Sequence, residues 1–147
     1  MWGRHTLGTR LSDLPLKISY RSKGPDNIID QLLIPGLKCS KVYKRSVGYF
    51  SSGVFEIIGN GLKELSERNG EIRLICNPEL SNEDIEGIRL GYHLKESIIR
   101  HRVEIDLEES IKQIDDQNLK LLINLIGNGR MNVLVVDLED ECGIYHD

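Results

Sequence analysis

Residues 46–76 read SVGYFSSGVFEIIGNGLKELSERNGEIRLIC, and their pattern decides the fold class. Ser46-Val47-Gly48-Tyr49-Phe50 is a strand candidate, with a start as early as Val42. Ser51-Ser52-Gly53 follows, and Val54, Phe55, Ile57, Ile58, Leu62 and Leu65 then recur at helical spacing. Asn69-Gly70 supplies a helix stop. Glu71-Ile72-Arg73-Leu74-Ile75-Cys76 is a second strand, closed by Asn77-Pro78. A strand, a helix long enough for a crossover and a second strand together predict a parallel pair.

Outward from this unit, Leu16-Lys17-Ile18-Ser19-Tyr20 alternates apolar and polar and predicts a half-buried strand. Lys23-Gly24-Pro25 breaks it, and Asp26 can cap a helix bearing Ile28, Ile29, Leu32 and Leu33, ended or bent at Pro35-Gly36. Leu37 and Cys39 read as packing residues. Downstream, Ser81-Asn82-Glu83-Asp84 is a helix start with acids in its first turn, leading toward Arg100 with a weak point at Gly91. A further helix is expected from Leu107 to Ile126, stopped by Gly127-Asn128-Gly129. Met131 to Leu138 is an apolar run of the kind found in strands buried on both faces. Gly143 to Asp147 begins an extended segment.

The order β-α-β-α-β-α-α-β-β predicts an α/β fold, a three-layer αβα sandwich around a mixed, largely parallel sheet. Residues 1–15 read as an N-terminal tail and 16–147 as one portion of a domain. An apolar strand followed by so short a run suggests a piece of a longer protein. There is no internal repeat and no low-complexity tract.

Composition limits the function classes. The chain has 147 residues, 39% hydrophobic and 29% charged, which suits one domain with a real core rather than a disordered tail. No apolar run reaches membrane-spanning length, and the N-terminus lacks a secretory apolar stretch, so a cytoplasmic, non-membrane protein is expected. Cys39, Cys76 and Cys142 form neither a disulfide framework nor a CxxC metal site. The net charge of −4 argues against a wholly basic nucleic-acid binder, but not against a local patch. Lys38, Lys41, Lys44 and Arg45 lie in one acid-free run, whereas Glu104 to Asp116 carries six acids and one lysine. Solvated faces are the commoner meaning of such runs; phosphate contact is the alternative for the basic one.

Few side chains point to chemistry. Gly59-Asn60-Gly61 and Gly127-Asn128-Gly129 lack the frames of nucleotide-binding loops. His93 and His101 lie eight apart on an expected helix, without companions at metal-ligand spacing. Ser51 and Ser52 stand at a strand-to-helix junction, where free N–H groups favour an anion, although N-capping is the commoner role. No GxSxG elbow supports a serine hydrolase. His146 follows the apolar run directly, and strand ends of open α/β sheets are where ligands usually bind.

Residues 43–53, YKRSVGYFSSG, with Gly70 to Ser81, GEIRLICNPELS, resemble phospholipase D-like (HKD-type) domains. The similarity is to the subgroup at the N-terminus of DEAD/DEAH-type helicases and restriction-like proteins. It spans about Leu16 to Asp147, and Gly143-Ile144-Tyr145-His146-Asp147 resembles the start of the His-x-Lys motif. The resemblance implies a nuclease or other phosphodiesterase acting on DNA. His146 would be the nucleophile, a second histidine from a partner copy in a homodimer the acid, and the motif lysines would steady the phosphoryl oxygens. It implies no metal and no cofactor. Lys44, Arg45, Ser51 and Ser52 are candidates for holding substrate phosphate. The motif lysine would be the residue after Asp147, so this chain by itself is expected to be inactive. The alternative is a non-catalytic nucleic-acid or protein binding module on the same fold.

Overall fold

A computed structural model of the chain describes residues 10–102 and 105–136. The protein is α/β, with a three-stranded parallel sheet in the order β1-β2-β3. Strands β1 (Val42–Val47), β2 (Glu71–Cys76) and β3 (Met131–Val135) alternate with α1 (Ile34–Cys39), α2 (Phe55–Glu67), α3 (Asn82–Ile99), α4 (Ile105–Lys112) and α5 (Gln117–Gly127). The crossover unit read from residues 46–76 is present: β1 pairs in parallel with β2, Val42 opposite Glu71 and Val47 opposite Cys76. Strand β3 joins the other edge of β2, with Ile72 opposite Met131.

One face of the sheet carries the core. Ile72, Leu74, Cys76 and Met131 are buried against Ile58, Leu62 and Leu65 of α2 and Leu122, Leu125 and Ile126 of α5, with Leu37 of α1 in the same cluster. Such burial of apolar area is the main force holding the layers together. Phe50 leaves β1 and packs tilted on Phe55, ring centroids 5.9 Å apart, which fixes the turn between β1 and α2. The opposite face presents three cross-strand rows: Val42 and Glu71; Lys44, Arg73 and Asn132; Ser46, Ile75 and Leu134. Its apolar members are exposed, Val42 at 46%, Ile75 at 42% and Leu134 at 58%.

The junctions show why these elements stop where they do. Helix α2 ends at Glu67, and Asn69, two residues on, takes a left-handed φ of 61°, as asparagine tolerates. Gly70 follows because a Cβ there would stand 2.7 Å from the Leu65 carbonyl oxygen. Helix α3 begins at Ser81, whose hydroxyl accepts from Asp84 N–H at 3.1 Å.

Several expectations are corrected. Leu16–Tyr20 is not a strand; Ile18 is fully exposed, and the segment is held by local turns and a Lys17–Asp26 ion pair. Alternation alone cannot make a strand where no neighbouring edge accepts its hydrogen bonds. The helix expected after Asp26 starts as a π-helical turn over Ile29–Leu33 and runs on as α1 through Pro35 and Gly36. Pro35 stands just past the π-helical turn, and the helix continues through it rather than ending there. Strand β1 begins at Val42 and stops at Val47, three residues short of Phe50. Helix α3 is continuous at Gly91. The single helix expected from Leu107 to Ile126 is two, because the Asp116 carboxylate accepts from Asn118 and Leu119 N–H and starts α5 afresh. Strand β3 is not buried on both faces; Met131 is buried, but Leu134 and Val135 are exposed. The expected end of that strand at Leu138 and the segment Gly143–Asp147 lie outside the described residues.

Candidate functional site

A parallel sheet brings the carboxyl ends of all its strands to one edge, and that edge holds the candidate site. There β1 gives way to Gly48-Tyr49-Phe50-Ser51, and β2 to Asn77-Pro78. Val136, just past β3, donates its N–H to Cys76 O at 2.9 Å. The chain therefore leaves β3 beside the end of β2, at the same edge of the sheet as the turn that contains Ser51 and Ser52 but with β2 between them. His146 itself lies outside the described residues.

The four phosphate-holding candidates do not converge. Lys44 projects from the open face of the sheet, exposed, in one row with Arg73 and Asn132. Arg45, the next residue, points to the opposite, helix-covered face, where it borders Tyr43, Phe50 and Phe55. Adjacent residues on a strand always part in this way. Ser51 is the N-cap of the short helical turn Ser52–Val54 that leads into α2, and its Oγ accepts from Gly53 N–H at 3.2 Å. Ser52 is 7% exposed, and its N–H faces both carboxylate oxygens of Asp84, each at 3.3 Å. An internal carboxylate thus occupies the position where the sequence placed a phosphate.

Asp84 is the residue that sequence reasoning missed. It is 2% exposed, whereas the sequence marks it only as a first-turn acid of α3. It reaches across to the start of α2 and joins the openings of two helices, where a negative charge is favourable. The available signal was the pair of helix starts themselves: each needs an acceptor, and one buried acid near both can serve.

Charge on the open face is largely cancelled. Arg73 forms a two-pronged pair with Glu71, Nε to Oε1 at 2.7 Å and Nη2 to Oε2 at 2.9 Å. That guanidinium holds the Glu71 carboxyl below the usual carboxylate range. Lys44 makes no ion pair among the described residues. On the covered face, burial pushes the Cys76 thiol above its usual value, as expected for an inert core cysteine.

His93 is exposed on α3, whereas His101 lies beyond the end of α3 with a left-handed φ of 52°, so the two do not share a helix. Among the described residues no group of three or more His, Cys, Asp or Glu side chains could hold a metal ion. No helix among them is long and apolar enough to cross a membrane. No known protein family, curated protein or solved structure matches the chain.

Proposed function

We propose that the chain is part of a phospholipase D-like phosphodiesterase that acts on DNA, in a helicase- or restriction-type parent protein. In this reading His146 attacks phosphorus as the P–O bond to the leaving strand breaks, a histidine of a second copy protonates the leaving oxygen, water then releases the phosphoryl group from His146, and the sheet gains its second helical layer from further chain. A neutral imidazole is a competent nucleophile and a paired imidazolium a competent acid, so the chemistry needs neither metal nor cofactor. The observation that carries the reading is the shared carboxyl edge of the three parallel strands. The parallel order ends β3 at the same edge as the turn at residues 48–53, with β2 between them. Exposed Tyr49 lies in that turn and exposed Lys44 stands within β1 on the open face, and they suit contact with a base and a phosphate.

A specific observation favours a second reading, a nucleic-acid binding module without catalysis. Asp84 already occupies the Ser52 N–H, so the start of α2 offers no empty anion hole. A phosphodiester reporter assay run beside a DNA-binding titration separates the two. The 147-residue chain is expected to bind DNA without turnover. A version lengthened past Asp147 by the motif lysine and the rest of the domain is expected to turn over and to lose activity on His146→Ala. Turnover that survives His146→Ala overturns the catalytic reading, and binding without turnover by the lengthened version establishes the second.

A further inference from the structure

At the opposite, amino edge of the sheet lies a cleft of about 800 Å³. It opens between the Arg10–Leu14 segment, the end of α1, the first residues of β1 and Arg68 at the end of α2. Its volume falls within the range of small-ligand sites. Its charge is one-sided. Arg10, Lys38, Lys41 and Arg68 line it and no carboxylate does, in a chain whose net charge is −4.

The four cations divide by what already engages them. Arg68 donates through Nη2 to Leu37 O at 2.8 Å and Ser40 O at 3.3 Å, so it covers carbonyls at the end of α1. Those carbonyls would otherwise repel an anion entering the cleft. Lys38 shares its charge with Glu64 at 3.3 Å. The Arg10 and Lys41 side chains form no ion pair among the described residues, although the Asp13 carboxylate accepts from the Arg10 backbone N–H at 3.1 Å. Between these charges the wall is apolar, with Leu14 and Pro35 beside Leu11 and Val42, which stand 52% and 46% exposed. Two uncommitted cations over an apolar wall match a ligand that joins a phosphate to a less polar body.

We propose that this cleft binds a nucleoside phosphate, with Arg10 and Lys41 on the phosphate and the Leu11–Leu14 wall under the nucleoside. The ligand is either a free mononucleotide or the phosphorylated end of a nucleic-acid strand. In the second case the proposal rests on the nucleic-acid reading above and adds a contact remote from the carboxyl edge. Arg68 is a positioning residue that removes carbonyl repulsion.

The test is a titration of the 147-residue chain with adenosine monophosphate and, separately, with a short 5′-phosphorylated single-stranded oligodeoxynucleotide and its unphosphorylated counterpart. Binding is compared across wild type, Lys41→Gln, Lys41→Glu and Lys112→Glu, with folding checked by circular dichroism. Losing one charge-assisted contact to phosphate is expected to weaken binding about tenfold or more, since such a bond is worth roughly 1.5–3 kcal/mol. Lys41→Gln and Lys41→Glu should show that loss, and Lys112→Glu, in α4, should not. Mononucleotide binding that is sensitive to Lys41 identifies the free ligand. A preference for the 5′-phosphorylated strand, lost on Lys41→Gln, identifies the strand end. Binding of either probe that ignores both Lys41 variants overturns the cleft proposal but leaves the DNA reading intact. No binding of either probe overturns the cleft proposal too, while duplex DNA binding then decides the other reading separately.

Discussion

Asp84 shows how much one buried side chain can decide. Its carboxylate accepts from Ser52 N–H and its own N–H is held by the Ser81 hydroxyl, so it ties together the openings of α2 and α3. Asp84→Ala leaves the Ser52 N–H without an acceptor inside the protein, at a cost of about 1–3 kcal/mol. Urea denaturation should show a lower midpoint, and Asp84→Asn, which keeps one acceptor oxygen, should fall between. Tyr92 acts similarly at the sheet margin: its hydroxyl donates to Val133 O at 3.1 Å and accepts from Val133 N–H at 2.9 Å. Tyr92→Phe removes both bonds, and hydrogen exchange at the Val133 amide should speed up more than at its neighbours. The Cys76 thiol gives a pH signature. Its folded-state value is raised by burial, so its contribution is complete below the unfolded thiol value and declines as pH rises through the folded one. Stability attributable to this group should therefore fall in the alkaline range, and Cys76→Ala should flatten that part of the stability–pH curve.

At the scale of elements, the helix–helix contact of α3 with α5 depends on close approach. A Cβ on Gly91 would stand 2.8 Å from Ile126 Cβ and 3.2 Å from Ile123 O. Alanine at an exposed helical glycine would stabilise by about 1 kcal/mol. Here overpacking wins, and Gly91→Ala is expected to destabilise by about 1–3 kcal/mol, read as a lower melting temperature. The same glycine shows what the sequence conceals. Its low helix propensity suggested a break, whereas its small size is what the neighbouring helix requires. The β1–α2–β2 unit was legible because its hydrophobic period changes sharply at Ser51 and again at Gly70. Residues 107–126 misled because the apolar period continues across Asp115 and Asp116, and only the Asp116 cap reveals the restart. Leu16–Tyr20 misled for a different reason: alternation reports a possible face, not the presence of a partner edge. At the candidate site, the position of Ser51 at a helix start could be read directly. The parting of Lys44 from Arg45 followed from strand alternation once β1 was placed, but the long-range bond to Asp84 left no local trace.

For the molecule as a whole, the sheet divides labour between its faces and its edges. Helices bury one face, the open face carries a lysine and an arginine already paired with a glutamate, and the carboxyl edge receives the chain as it leaves β3. If DNA is the partner, its phosphates set the affinity, and binding must weaken with salt in proportion to the phosphates neutralised. Lys44→Glu should then weaken duplex binding and reduce the salt slope by about one ion. The most direct measurement is a titration of the isotopically labelled chain with a short DNA duplex, followed by amide chemical shifts at low and high salt. The account predicts shifts at residues 48–53 and at Lys44 that saturate at low salt and shrink at high salt. Shifts confined to α3 and α4, or none at low salt, would contradict it.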